Sequence, residues 1–480
     1  MLIRAGLIAL ITIIGLGGQF LVRAVLTAHL GPGYELDVFF LTLGWAGALA
    51  SAMFLAVALV FAPQTVGVDA SAAIRGLGRQ AAKWLVTTTS ILAVLAAIVV
   101  AAFGHHSAST VVLLVLLGWG VAGGISLFQR QILLAWGHPF ITSLLALLPA
   151  VVILSLSWLD VIKSTLGFAI IGCLTWTIVA GLTGILLWRN WRKRGIPSAS
   201  NAPPGAFKAL LKLAAPVFGA NWNSQANQRY LDALAAMSMT GGATLFGNAL
   251  ALTRLPQSIA DAIFSATAYP HVLHALAAHD VNALRTSYRL ALRVHFAITV
   301  PVAASIWVAG DAATEMMFLH GNCTLEHTRA ISEVLWWAAP GIILSTFQSV
   351  HSQILLASKR TAGVLTIELG FTVLSISCAT LAMPYFGLAG ITIGGTIAFV
   401  TIQVPMIRLL QQTGLHWKDS VGELLRAFLP VVPAFLLASW VNHLCGSTSW
   451  VRALSVGATI LAVTLPCSAW AILRVQARGR

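Results

Sequence analysis

The stretch from Asn221 to Asp232 reads Asn-Trp-Asn-Ser-Gln-Ala-Asn-Gln-Arg-Tyr-Leu-Asp, and apolar runs long enough to cross a bilayer flank it. A polar run in that setting is costly unless it faces water or protein. At helical spacing, Asn221, Gln225, Gln228 and Asp232 share one stripe, with Arg229 beside it. Interhelical hydrogen bonding would explain the amides alone. The charged residues favour a binding site instead.

A second polar stripe follows at once on the next apolar segment. Its members at helical spacing are Arg254, Gln257, Ser258, Asp261 and Ser265. Two arginines and two aspartates therefore lie on adjacent predicted helices. With Arg23 of the first segment, these stripes predict a polar cavity lined by Arg23, Arg229 and Arg254 against Asp232 and Asp261, with Glu368 as a further acidic candidate. For Arg23, a side chain that reaches outward to the membrane surface is the alternative.

The composition of the whole chain is that of a membrane protein. Of its 480 residues, 58% are hydrophobic and only 9% are charged, a balance that excludes a soluble globular protein. Apolar runs predict fourteen membrane spans. They lie near 3–29, 38–61, 84–103, 110–135, 140–160, 165–189, 210–238, 244–270, 286–309, 330–356, 362–383, 387–410, 422–444 and 451–473. The first is interpreted as a retained helix because no cleavable small-residue site follows it.

The net charge of +14 is explained by the topology of the spans. With both termini cytoplasmic, most Lys and Arg residues fall in inner loops and helix ends, and only Lys163, Arg329 and Arg452 fall in outer loops. We therefore expect a multi-pass membrane protein with both termini cytoplasmic and no binding to nucleic acid. The five cysteines have no metal-ligand spacing. Cys323 and Cys445 both fall in outer loops, where unpaired thiols are favoured over a disulfide.

A short internal repeat divides the chain. Gln131–Ala135 ends the fourth span and the same five residues, Gln353–Ala357, end the tenth; Gly167–Ala169 and Gly387–Ala389 open the sixth and twelfth. We predict a six-helix lobe over 1–190, a basic linker over 191–209, a second six-helix lobe over 210–413, and two additional helices over 414–480. Such repeats place the substrate between the lobes.

Several patches resemble the MurJ/MviN family of lipid-linked-oligosaccharide flippases, within the multidrug/oligosaccharidyl-lipid/polysaccharide exporter superfamily. They are Asn227-Gln228 with Asp232, Asn248 through Arg254-Leu255-Pro256 to Tyr269-Pro270, Leu30-Gly31 to Asp37-Val38-Phe39-Phe40, and Gln131 to Phe140. Fourteen spans in two lobes plus a final pair is also that family's layout. The resemblance implies that Arg254 is a cavity arginine and that Asp37 is a site residue. Asp37 also has a structural explanation, because an acidic side chain at the start of a helix is stabilised by the helix dipole.

This chain also differs from the family at several positions. The family's arginine and glutamate of the second helix fall where this chain has Leu49, Ala50 and Leu55, and Arg23 lies one position past a family arginine. The expected substrate is a polyprenyl-diphosphate-linked saccharide such as a peptidoglycan precursor. A related exopolysaccharide or O-antigen unit remains an alternative.

The residue chemistry agrees with transport rather than catalysis. The chain has no Gly-x-x-x-x-Gly-Lys-Ser/Thr phosphate loop and no nucleophile–base pair that stands out. We expect no cofactor, and leave a coupling cation open as a partner beside the membrane lipid. A cation-coupled drug exporter would need a carboxylate-dominated cavity, and a membrane glycosyl- or acyltransferase a compact catalytic cluster. Neither pattern is present.

Overall fold

The computed structural model describes residues 14, 17–18, 20–64, 72–103, 107–135, 138–158, 164–193, 205–358, 360–445 and 449–478. These residues form helices joined by turns and short loops, with no strand among them. The start of the predicted first span, Lys163 and most of the predicted linker lie outside this set. Two compact units emerge: the N-terminal unit, residues 35–229, and the C-terminal unit, residues 1–34 with 230–480.

The N-terminal unit consists of five helices and most of a sixth. They are α2 (Tyr34–Gln64), α3 (Ala72–Phe103), α4 (Ser107–Ala135), α5 (Pro139–Trp158), α6 (Thr165–Lys193) and α7 (Ala206–Ser238). Its core joins α2, α3, α4, α6 and the start of α7 around Phe54, Phe61 and Phe128. The Phe61 and Phe128 rings stack with centroids 5.9 Å apart. Burial of these rings holds the helices together.

The C-terminal unit begins with α1, whose described part is Phe20–Leu30. It continues through α8 (Gly242–Thr267), α9 (Tyr269–Ala277), α10 (Val281–Phe318), α11 (Leu325–Ala357), α12 (Thr361–Gln411), α13 (Trp417–Leu444) and α14 (Ser449–Arg478). One hydrophobic core contains residues of every helix from α8 through α14. A second core contains residues of α1, the end of α7, α8, α11 and α12. The last two helices pack against α10.

Proline and glycine interrupt the long helices where the apolar pattern predicts separate spans. Gly387 has φ 54° inside α12, three residues after Pro384. Only glycine adopts such a conformation at low cost, and the break falls between the predicted spans 362–383 and 387–410. Pro270 opens α9, so the predicted span 244–270 becomes α8 with a short helix after it.

Six helices of the described residues are long and apolar enough to cross a membrane. They are Tyr34–Ala58, Thr165–Lys193, Val281–Phe318, Leu325–Ala357, Thr361–Gln411 and Trp417–Leu444. Shorter apolar helices accompany them. The predicted class, an all-α polytopic membrane protein, is confirmed. The predicted boundaries 1–190, 191–209, 210–413 and 414–480 remain a prediction.

Candidate substrate-binding site

The eight predicted site residues divide equally between the two units. Asp37, Gln225, Gln228 and Arg229 belong to the N-terminal unit, and Arg23, Asp232, Arg254 and Asp261 to the C-terminal unit. Their meeting at one central cavity is still a prediction. Each group is therefore described within its own unit.

Arg23 is fixed by a polar contact between α1 and α8. Its Nε donates a hydrogen bond to Asn248 Oδ1 over 2.9 Å, and Asn248 Nδ2 donates to Thr27 Oγ1 over 3.0 Å. Asn248 is fully buried. A Cβ at Gly247 would come within 1.9 Å of Arg23 Nη2. The guanidinium therefore lies directly against the backbone of α8, in space that only glycine leaves open.

One face of α8 carries a glycine that contacts Arg23 and two of the residues that the sequence singled out. Gly247, Arg254 and Asp261 follow one another at seven-residue intervals, about two helical turns, and so share a face. The first lies under the Arg23 guanidinium, the second projects an exposed side chain, and the third carries a carboxylate. Two guanidinium groups and a carboxylate are thus aligned along a single helix.

Asp261 on α8 contacts side chains of two other helices. Its Oδ1 faces Nε2 of His295 on α10 at 3.0 Å, Nε2 of Gln353 on α11 at 3.5 Å and the hydroxyl of Ser349. Its side chain is 34% exposed, whereas that of His295 is fully buried. Asp261 therefore links three helices of the C-terminal unit.

The remaining predicted residue of the C-terminal unit, Asp232, is buried near the end of α7. Glu368, another acidic candidate, lies on α12, where Gln348 Nε2 donates to its Oε1 over 2.8 Å. Both carboxylates are therefore held within the protein.

In the N-terminal unit, Arg229 lies against α2. A Cβ at Gly44 would come within 1.8 Å of its Nη1, so the guanidinium occupies the space above that glycine. Gln225 and Gln228 on the same helix are partly buried, and Asp37 in the first turn of α2 is buried. The positive end of the helix dipole therefore stabilises the carboxylate of Asp37, as the position of this residue in the sequence predicts.

Sequence reasoning missed His295, Ser349 and Gln353. His295 lies inside an apolar run, and local periodicity does not reveal a partner 34 residues away. The four-residue spacing of Ser349 and Gln353 was the available signal, because it places both on one face of α11. No disulfide joins Cys323 and Cys445 in this structure.

Arginines at the start of α10 pair with acids at the start of α13. Arg285 and Arg289 contact Asp419 at 2.8 and 2.5 Å, and Arg293 and Arg426 both contact Glu423, which is 1% exposed. These arginines are among the basic residues that the sequence predicts to lie in cytoplasmic loops and helix ends. They also fasten the C-terminal helix pair to α10.

Comparison with known proteins identifies the fold and the family. A family model described as lipid II flippase MurJ matches residues 78–463. A solved structure of the lipid II flippase MurJ in an inward closed conformation is similar over 100% of both chains, with TM-score 0.71 and 17% identity. No curated protein matches the chain by sequence.

Two other solved transporter structures share the same fold. An inward-facing multidrug resistance MATE family transporter of the MOP superfamily has TM-score 0.66 and 16% identity, over 82% of this chain and 93% of its own. A MOP superfamily transporter from Pyrococcus furiosus has TM-score 0.64 and 19% identity, over 85% and 95%. These identities show the fold alone, whereas the family model spans most of the sequence. The chain belongs to the lipid II flippase MurJ family.

Proposed function

We propose that this protein moves a polyprenyl-diphosphate-linked saccharide, a lipid II-like cell-wall precursor, across the bacterial inner membrane by alternating access. Both termini lie in the cytoplasm, the protein works as a transporter without an enzymatic step or a cofactor, and its partners are the lipid-linked saccharide and membrane lipid. Family membership over residues 78–463 supports the substrate class.

The observation that carries the proposal is the charged face of α8. Arg23 is held at Gly247 and Arg254 projects two turns further along, about 10 Å away by the helical rise. A guanidinium group bonds two oxygens at once, which suits phosphate better than a point charge does. A diphosphate that travels along this face would pass from one guanidinium to the next while its isoprenoid tail stays in lipid.

The other predicted residues have supporting roles in this proposal. Arg229 and the amides of Gln225 and Gln228 provide donors from α7 for the saccharide and the diphosphate. Asp232, Asp261 and Asp37 balance the arginine charges when no substrate is bound. The three arginines favour an anionic lipid over the cationic drugs of a cation-coupled exporter, which would need a carboxylate-dominated cavity.

The experiment uses purified protein in proteoliposomes with a fluorescent polyprenyl-diphosphate disaccharide-pentapeptide. Flipping is read by the fraction of label that an added enzyme or quencher reaches. We expect wild type to equilibrate the label and Arg254→Ala to fail. Arg408→Ala, which removes an exposed arginine near the end of α12, should behave as wild type.

A second substrate separates the two saccharide classes. The same assay with a polyprenyl-diphosphate O-antigen unit should give slower movement if the cell-wall precursor is the substrate. Faster movement of the O-antigen unit would reassign the saccharide, and movement of neither lipid would overturn the proposal.

A further inference from the structure

A polar cavity lies where the loop 319–324 joins α10 to α11. It encloses about 280 Å³, and its described lining includes none of the eight predicted substrate-binding residues. One wall carries the carboxylates of Asp311 and Glu315 on α10, and the other carries Arg329, Glu333 and two tryptophans on α11. A volume of roughly 300 Å³ is at the small end for a ligand pocket. The cavity therefore suits one lipid head group rather than a disaccharide-pentapeptide.

The two tryptophans mark the depth of this cavity in the membrane. Trp336 and Trp337 are 48% and 37% exposed, and their rings meet edge to face with centroids 4.9 Å apart. Trp307 Nε1 donates to the carbonyl oxygen of Trp336 over 3.1 Å, which ties this turn of α11 to α10. Tryptophan concentrates where the hydrocarbon core meets the lipid head groups, and the charged lining residues lie on the loop side of this pair. The cavity therefore lies at the level of the head groups.

The carboxylates on α10 are held by the start of α14. Arg452 Nη2 donates to Asp311 Oδ2 over 3.1 Å, and the Ser449 hydroxyl donates to Glu315 Oε2. Arg452 is itself fixed, because its Nε donates to Asn442 Oδ1 over 3.0 Å. The α10 wall of the cavity is therefore held in place by a third helix.

The charged residues on the α11 wall are not held in this way. Arg329 and Glu333 are both exposed. They lie four residues apart, a spacing at which opposite charges on a helix can pair. Among the described residues, no hydrogen bond or ion pair joins either side chain to the other or to a third group. The cavity therefore offers one guanidinium group and one carboxylate to a ligand.

The balance of charge selects the kind of head group. The three carboxylates, those of Asp311, Glu315 and Glu333, outnumber the guanidinium groups of Arg329 and Arg452, so the cavity is negative overall. It repels a head group that carries only a phosphate and attracts one that also carries a cation. An ammonium group donates hydrogen bonds to carboxylates, and the face of a tryptophan ring attracts it as well. The phosphate suits a guanidinium group.

We propose that this cavity binds the head group of a zwitterionic phospholipid with a primary ammonium, of the phosphatidylethanolamine type. The ammonium lies at Glu333, the phosphate lies at Arg329, and the acyl chains run past the exposed ring of Trp336 into the bilayer. This goes beyond the proposed function and does not depend on which lipid is transported; with both termini in the cytoplasm, the phospholipid belongs to the outer leaflet. The bound head group links α10 to α11 and so stabilises this end of the C-terminal unit.

The first test compares two phospholipids with the same acyl chains. Native mass spectra of the whole purified protein, stripped of lipid in detergent, are recorded with added phosphatidylethanolamine or with added phosphatidylglycerol, which has the phosphate but no ammonium. We expect wild type to retain phosphatidylethanolamine at a severalfold lower lipid concentration. Equal retention of the two lipids, or a preference for phosphatidylglycerol, would overturn the proposal. No transported lipid is present, so the result stands or falls separately from the flipping assay.

Variants then locate the site by the same measurement. Glu333→Gln should abolish the preference, because it removes the carboxylate that faces the ammonium. Arg329→Gln should weaken retention of both lipids severalfold, because both carry the phosphate. Glu326→Gln is the matched control, since it alters an exposed carboxylate on the same helix outside the cavity, and it should behave as wild type. Wild-type retention by Glu333→Gln or by Arg329→Gln, at unchanged melting temperature without lipid, would place the phospholipid elsewhere and refute the proposal.

Discussion

The Arg23 guanidinium of α1 donates to Asn248 of α8 over 2.9 Å and occupies the space above Gly247. One buried amide thus positions an arginine from a helix more than 200 residues away in sequence. Asn248 reaches back to Thr27 through its nitrogen, so the contact fixes two successive turns of α1. The Arg23 guanidinium therefore lies on the same face of α8 that carries Arg254.

We predict that Gly247→Ala displaces Arg23 and slows flipping severalfold or more without unfolding the protein. The added Cβ would lie 1.9 Å from Arg23 Nη2, and the end of a flexible side chain can move where backbone cannot. Gly370→Ala in α12 is the control, because nothing lies within 4 Å of its Cβ. Flipping by the Gly247 variant at the wild-type rate would show that the position of the Arg23 guanidinium is unimportant.

A matched pair of glycines on α2 tests Arg229 in the same way. Gly44→Ala would place a Cβ 1.8 Å from Arg229 Nη1, whereas Gly47→Ala on the same helix meets nothing within 4 Å. We expect the first to reduce flipping and the second to leave it unchanged, at equal expression and melting temperature. Equal rates for both variants would remove Arg229 from the proposed site.

The sequence predicted the helices well because apolar length is a local property. The break in α12 is an example, since Pro384 and Gly387 mark it within four residues. Contacts between distant helices were not predictable in the same way. The partners of Arg285 and Arg293 lie 134 and 130 residues further along, and neither apolar runs nor charge bias specifies such a pairing.

The candidate site residues were selected by the same local reasoning, and their role in binding stays a prediction. Polar residues in an apolar run are conspicuous, so Arg254 and Asp261 could be selected from their cost in a membrane. His295 has the same cost but lacks a polar stripe around it, and its contact with Asp261 depends on how α8 and α10 pack. The sequence indicated the charged residues and left their partners open.

Glu423→Gln should lower the stability of the C-terminal unit. Its buried carboxylate contacts both Arg293 and Arg426, and removing one member of a buried ion pair costs on the order of 3 kcal/mol. We expect a melting temperature several degrees lower in detergent. The control, Glu326→Gln, alters an exposed carboxylate at the start of α11 and should change it little. An unchanged melting temperature for Glu423→Gln would show that this network contributes nothing to stability.

Arg254 offers the most direct test of diphosphate binding. Arg254→Ala should abolish flipping while the protein remains folded and inserted, because the side chain is exposed and its removal leaves no cavity in the core. A structural role would give a different result: loss of a contact between helices should lower the melting temperature along with transport. Both quantities are therefore measured on the same preparation.

Arg254→Lys then separates a charge from a bidentate clamp. Lysine keeps the positive charge but cannot bond two phosphate oxygens in one plane. If the guanidinium clamps the diphosphate, the lysine variant should stay well below the wild-type rate, and raising the lipid concentration should restore only part of it. If a positive charge on α8 is sufficient, lysine should support flipping near the wild-type rate. That second result, at unchanged expression and melting temperature, would rule out the clamp and leave Arg254 a purely electrostatic role.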